Sequence, residues 1–265
     1  MLNFIFIPFR LASIVIAIST YIVLGSFVFC FCFPFKFKRR HLVTHLNVLC
    51  SRIILKLLHF KIKHVGPSPH KGSLIIGNHL SYLDILIYLS RFETLFVTSV
   101  DMKWRFFLGQ LTVLGGCLFV ERRNPRNLPN ELKNLKDFFD NGFTVCVFPE
   151  GTSSDGLSVL PFKKSLFQIA LETKAPVQPI ALKYTKINGK PFSKKNNDLV
   201  CWYGEMNFFT HFIKLLTLRS IEAELNVLPL IDSKSFTDRK ALADHTHRIV
   251  LKHYKEKQDQ NLEDT

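Results

Sequence analysis

"NHLSYLD", residues 78–84, joins the apolar run "SLIIG" (73–77) to a second apolar run, "ILIYL" (85–89). A short apolar run that ends on Gly77 and passes through polar residues into another apolar run is a buried strand handing over to a helix. Ser81 and Asp84 form an S-x-x-D capping signature, with Leu80 and Ile85 placed for a hydrophobic staple, so the helix starts just after Ser81. The same residues carry a second reading. On one continuous helix His79 and Asp84 would stand about 140° apart, but a His79 in the preceding turn can fold its ring back over the first turn to the Asp84 carboxylate. One imidazole nitrogen would then donate to Asp84 while the other faces a substrate hydroxyl, which is a general base with its orienting carboxylate. On this segment alone, cap and catalyst both stay open.

Working outward, short β-rich runs alternate with helical stretches: "TLFVTSV", "MKWRFFLGQLTVLG", "CLFVER", "LPNELKNLKDFFDNG", "FTVCVF", "KKSLFQIALETKA" and "PVQPIALKY". The alternation predicts an α/β domain with a mostly parallel central sheet flanked by helices. Leu128, Leu132, Leu135 and Phe139 step by three or four residues and Gly142 follows as a C-cap, so a helix ends there. "DLVCWYGEM" and "SIEAELNVLPLI" read as further strands, and "TDRKALADHTHRIVLKHYKEK" as a closing helix.

Upstream, "LASIVIAISTYIVLGSFVFCFCF" (11–33) contains no charged residue and as a helix would extend about 34 Å, enough to cross a bilayer. "CFCFPFKFKRR" is a poor match to a signal-peptide cleavage site. Lys36, Lys38, Arg39 and Arg40 follow at once, with Arg52, Lys56, Lys61 and Lys63 behind them, whereas only Arg10 and the amino terminus precede the segment. The positive-inside rule then leaves the remainder cytoplasmic. Pro8 and Pro34 also permit a re-entrant hairpin in one leaflet. The chain thus divides into a membrane anchor over 1–40, an amphipathic linker helix over 41–65, an α/β domain over 66–257 and a flexible tail over 258–265.

A formal net charge of +14 points to an anionic partner. The basic cluster beside an apolar anchor assigns that partner to membrane lipids rather than nucleic acid. The six cysteines form no CxxC pair and read as buried thiols. No histidine pair has an acidic or cysteine companion at metal-site spacing, so no metal and no bound cofactor is expected. P-loop and G-x-G-x-x-G signatures are absent, which removes nucleoside triphosphate and dinucleotide chemistry.

A second segment, "VCVFPEGTSSDG" (145–156), runs from an apolar strand into a turn where backbone donors and hydroxyls can gather around a polar ligand. It is not a serine-hydrolase elbow, since G-x-S-x-G would need glycine at Asp155.

"NHLSYLD", "GGCLFVERR", "FPEGTSS" and "VQPIAL", in this order between Gly66 and Tyr184, together resemble the four ordered motifs of the glycerolipid acyltransferase family, which includes the 1-acylglycerol-3-phosphate acyltransferases. The resemblance implies that His79 is the base, Asp84 its partner, and that Arg122 with Glu150, Gly151 and Thr152 shapes the acceptor head-group site. Arg123 could share the work of Arg122, and Pro179 belongs to the fourth motif. Many family members carry arginine after F-P-E-G-T, where this chain has Ser153. "EGTSSDG" with the later "WYGEM" looks like a bacterial branch that includes enzymes acylating lyso-ornithine lipids.

The expectation is a membrane-bound O-acyltransferase moving a fatty acyl group from acyl-CoA or acyl-carrier protein to a lysolipid hydroxyl. The acceptor placed first is 1-acyl-sn-glycerol-3-phosphate, giving phosphatidic acid, with a lyso-ornithine lipid as the alternative. A lipid hydrolase using the same His/Asp pair and a non-enzymatic, membrane-tethered binder of anionic ligands are more distant readings.

Overall fold

The computed structural model describes residues 2–32, 34–104, 108–120 and 128–263. Its strands are β1 (Phe60–Val65), β2 (Leu74–Gly77), β3 (Thr94–Ser99), β4 (Leu118–Val120), β5 (Thr144–Val147), β6 (Val177–Ile187), β7 (Lys190–Pro191) and β8 (Ile221–Val227). Its α-helices are α1 (Leu2–Phe31), α2 (Lys36–Leu57), α3 (Leu83–Arg91), α4 (Leu108–Leu114), α5 (Leu128–Asp140), α6 (Gln168–Thr173), α7 (Phe208–Leu216) and α8 (Arg239–Glu263). The strands form one sheet in the order β1-β8-β6-β2-β5-β3-β4, with β7 on β6. The β6–β8 and β6–β7 pairs are antiparallel and the other described pairs parallel, so the α/β, mostly parallel expectation holds.

The central strands are buried on both faces, and the two-residue period of a strand divides their side chains between two cores. Ile75 of β2, Cys146 of β5 and Phe96 of β3 face the core shared with α2 and α3. Leu74, Ile76, Val145, Val147 and Leu95 face the core closed by α5, α6 and α8. The chain leaves β2 for β3 on one side and leaves β5 for β6 on the other. Beyond the carboxyl ends of β2 and β5 it therefore opens a crevice at a topological switch point, where open α/β sheets bind ligands.

Four expectations need correction. The amphipathic helix expected over 41–65 begins at Lys36 and ends at Leu57, and Phe60–Val65 is strand β1, paired in parallel with β8. There Phe60 and Ile62 turn inward and Lys61 and Lys63 outward toward Glu222 and Glu224, a period of two that a helical reading overran. "DLVCWYGEM" is not a strand: a 3-10 turn at Asn197–Leu199 leads into a loop, because β8 is already flanked by β1 and β6. Helix α8 runs on to Glu263, with neither glycine nor proline to stop it at 257. Only Cys146 and Cys201 are fully buried thiols; Cys30 is exposed on α1.

Residues Ile7–Phe31 of α1 are long and apolar enough to cross a membrane. One stripe of α1 nevertheless packs on the domain. Arg10 donates to the carbonyls of Leu216 and Leu218, Ile14 is buried, and the Tyr21 hydroxyl donates to Asn47 Oδ1 at 2.8 Å. The steps of four and seven residues between these positions keep them on one helix face. The remaining faces expose Phe9, Val15, Ile16, Val23 and Phe27.

Candidate active site

The loop that leaves β2 is built by side chains that extend the sheet. Asn78, fully buried, donates from Nδ2 to the Leu182 carbonyl at 2.9 Å and accepts the Leu182 N–H on Oδ1 at 2.8 Å. Its amide thus continues the β2–β6 ladder for one step, as the chain itself turns away. His79 follows at the crevice.

His79 Nδ1 lies 2.8 Å from Asp84 Oδ2, and the carboxylate partner makes Nδ1 the protonated nitrogen. Asp84 is wholly buried at the first turn of α3, while the His79 side chain keeps 21% of its surface open. The same Asp84 oxygen accepts the backbone N–H of Leu80 at 2.6 Å and of Ser81 at 2.9 Å. Tyr184 sends its hydroxyl toward Oδ1 at 3.5 Å. One carboxylate therefore has two uses: it orients the histidine and caps the turn ahead of α3, not the helix expected to start on Ser81, whose N-cap is Tyr82 and makes no side-chain bond. The His79 ring lies flat on Phe148, centroids 4.3 Å apart and 2° from parallel, so two contacts fix its plane.

The "FPEGTSS" turn holds the first motif by its backbone. Glu150 Oε1 accepts the N–H of His79 at 2.8 Å and Oε2 that of Leu160 at 3.0 Å, while Ser154 N–H donates to the His79 carbonyl at 2.9 Å. Burial pushes the Glu150 carboxyl up to about 8, against the two backbone donors that pull it down and with the nearby Asp84 charge adding to the rise. Gly151 sits at φ +71, and a Cβ there would collide with the Lys163 side chain folded across it. Gly151 and Thr152 are exposed at the crevice. Ser153 donates its hydroxyl to the Trp202 carbonyl, and Trp202 N–H reaches the Leu80 carbonyl at 3.0 Å. Loop 200–206 so joins the first and third motifs.

Of the residues singled out in the sequence, His79, Asp84, Glu150, Gly151 and Thr152 come together at the carboxyl ends of β2 and β5. Arg122 and Arg123 lie outside the described residues. Pro179 stands in β6 opposite Ile76 of β2. Sequence reasoning gave no role to Asn78, Phe148, Ser154 or Trp202. Asn78, Phe148 and Ser154 sit inside the quoted motifs, and Trp202 opens the quoted "WYGEM", but none of them was given a structural task.

An imidazole held through Nδ1 by a buried carboxylate and left partly exposed can take a proton from a hydroxyl on its other nitrogen. Comparison with known proteins gives the family. The Acyltransferase family model matches residues 59–183. A lyso-ornithine lipid O-acyltransferase of Brucella abortus (strain 2308) is 31% identical over 202 residues, spanning 72% of this chain and 75% of that protein. Its counterpart in Rhodobacter capsulatus is 34% identical, over 74% of this chain and 70% of that protein. A 1-acyl-sn-glycerol-3-phosphate acyltransferase of Neisseria gonorrhoeae is 27% identical, over 70% of each chain. In fold, the chain matches the crystal structure of the 1-acyl-sn-glycerophosphate acyltransferase PlsC from Thermotoga maritima with a TM-score of 0.69 and 21% identity, over 97% of this chain and 98% of that one. The chain belongs to the Acyltransferase family. With its apolar N-terminal helix and relatives named for lipid substrates, it is a membrane-associated enzyme.

Proposed function

We propose that this enzyme transfers a fatty acyl group from acyl-CoA or acyl-carrier protein to the free hydroxyl of a lysolipid, with 1-acyl-sn-glycerol-3-phosphate as acceptor and phosphatidic acid as product. The observation that carries the reading is the 2.8 Å contact between His79 Nδ1 and Asp84 Oδ2 at the mouth of the crevice. His79 Nε2 accepts the hydroxyl proton as the oxygen attacks the thioester carbonyl, and the buried Asp84 charge stabilises the imidazolium that forms. The face of Phe148 adds to that stabilisation, since an aromatic face attracts a cation. When the tetrahedral intermediate collapses, the C–S bond breaks and the proton passes to the departing thiolate. The chemistry needs neither a metal nor a covalent acyl-enzyme.

A specific observation favours a second acceptor. Ser153 stands where many relatives carry arginine, and its hydroxyl is committed to the Trp202 carbonyl, so that position supplies no cation to a phosphomonoester. Lyso-ornithine lipid is the corresponding alternative. Both are separated by one assay: the purified chain with a labelled acyl thioester and a panel of lysolipids, the acylated product being identified. Product from lysophosphatidate supports the first acceptor; product from lyso-ornithine lipid alone supports the second; fatty acid released without any acylated lipid would make the enzyme a hydrolase.

For location, α1 supports a helix lying along one leaflet, because its Arg10–Ile14–Tyr21 stripe is tied to the domain and a perpendicular helix would carry that domain into the bilayer. The basic residues after α1 support a domain on the cytoplasmic side of the inner membrane.

A further inference from the structure

We infer that α7 is a second lipid-contact helix, which rests on the bilayer beside α1 and passes the lysolipid to His79 along an aromatic wall. The identity of the passenger rests on the acyl-transfer reading; the membrane contact does not.

Helix α7, "FFTHFIKLL", turns His211, Leu215 and Leu216 into the protein and presents Phe209 and Ile213 to the outside, 75% and 47% exposed. These two are four residues apart, on one face. Two exposed apolar side chains by themselves are ordinary surface. Their position makes the difference. Arg10 of α1 donates to the Leu216 and Leu218 carbonyls at the carboxyl end of α7. The adjacent Phe9 of α1 is 69% exposed, so the apolar surface of the membrane helix begins where α7 ends. Helix α7 contains no acidic residue, and exposed Lys214 and Arg219 stand at its carboxyl end. An apolar face with cations at its border matches a bilayer containing anionic lipid better than it matches a second protein.

The inner side of α7 leads to the dyad. Phe208, whose ring lies 5.6 Å from that of Phe209, meets the Tyr82 ring at 5.0 Å and the Trp202 ring at 6.5 Å. Tyr82 belongs to the catalytic turn, three residues after His79, and its hydroxyl lies 3.0 Å from His211 Nδ1. A continuous aromatic surface therefore begins at the lipid-facing Phe209 and ends at Tyr82, three residues along the chain from His79. It gives an acyl chain an apolar path while the polar end of the lysolipid meets the exposed turn at Gly151 and Thr152.

The experiment uses the full chain in two arms. In the first, Phe209→Trp is bound to vesicles of phosphatidylcholine and phosphatidylglycerol with brominated acyl chains. We expect extra quenching, relative to the parent with its own tryptophans, that is absent from unbrominated vesicles. In the second, a Phe209→Ser, Ile213→Ser variant is assayed with a long-chain lysolipid embedded in vesicles and with a monodisperse short-chain lysolipid. The expected result is a KM on vesicles raised about tenfold, with turnover of the short-chain acceptor unchanged. No added quenching for Phe209→Trp overturns the membrane contact, and equal losses on both acceptor forms overturn the delivery route. A parent that acylates no lysolipid in either form would refute the acyl-transfer reading and the route with it, leaving the quenching arm to decide the contact.

Discussion

The carboxyl group of Glu150 accepts the backbone N–H of His79 at 2.8 Å, so the third motif holds the His79 turn by its backbone. Glu150→Gln keeps one acceptor oxygen but turns an amide NH2 toward the second N–H donor. The dyad shifts without losing a group, and we expect kcat to fall about tenfold with the acceptor KM unchanged. A raised KM instead would return Glu150 to the head-group site.

The same residue sets a pH dependence of stability. With the folded carboxyl near 8 and a reference value of 4.5, the folded state holds a proton over that interval that the unfolded state has lost. Stability is therefore fully present below about 4.5, declines as pH rises toward about 8, and levels off beyond it. The stability difference between the parent and Glu150→Gln should change by roughly 3–5 kcal/mol across that window. Parallel curves for the two proteins would show that the carboxyl ionises at its ordinary pH.

Ser153 offers a test of acceptor choice. Ser153→Arg gives up the hydrogen bond to the Trp202 carbonyl and adds a bidentate cation at the third motif. The ratio of kcat/KM for lysophosphatidate over lyso-ornithine lipid should rise about 10- to 100-fold, with a Tm loss of a few degrees. An unchanged ratio would separate that position from head-group choice.

What was legible in the chain was local: the strand-to-helix handover at Gly77–Leu83, the helix ending at Gly142, and the pairing of His79 with Asp84 across one turn. What escaped was tertiary. Asn78 completes a ladder with Leu182, Ser154 and Glu150 grip both sides of the His79 peptide, and Trp202 braces Leu80. Each bond joins segments far apart in sequence, where no spacing rule operates. Strand β1 escaped for a different reason: "KIKHV" follows an amphipathic helix directly, and two of its alternating positions also satisfy a helical repeat.

Anchoring is separable from charge. Exposed Phe9, Ile16, Val23 and Phe27 on α1 bury apolar area that salt does not screen, whereas the basic residues after α1 act through charge. Washing membranes at about 1 M salt, where screening extends only about 3 Å, should leave the enzyme bound. Release by salt alone would make α1 a docked core helix.

Beneath the dyad, the Tyr88 hydroxyl is buried with no hydrogen-bond partner among the described residues, against Gly77 and edge-on to Phe148. Tyr88→Phe removes an unsatisfied polar atom and should stabilise the fold by about 1 kcal/mol. Gly77→Ala would drive a Cβ into that hydroxyl and cost about 3 kcal/mol, and Tyr88→Phe in the same chain should recover part of the loss, since the next ring atom stands 2.9 Å away. Additive effects in a double-mutant cycle of Tm or denaturant midpoint would show that the two residues do not meet.

Asp84→Asn separates the cap from the catalyst. An amide oxygen in the place of Oδ2 can still accept the N–H groups of Leu80, Ser81 and His79, and its NH2 can face the Tyr184 hydroxyl, so the geometry and the helix start survive. Only the charge opposite the imidazolium is gone. The Tm should move by about 2 °C or less, while acyl transfer falls by about 10³- to 10⁴-fold, the scale known for the same change in a serine-protease triad. His79→Ala should be comparably severe. The double variant should be scarcely worse than either single one, because the two side chains act as one unit. Near-normal turnover in Asp84→Asn would reduce Asp84 to a cap; a folded, inactive Asp84→Asn would mean that its charge, held 2.8 Å from His79, is what allows the histidine to take the lipid's proton.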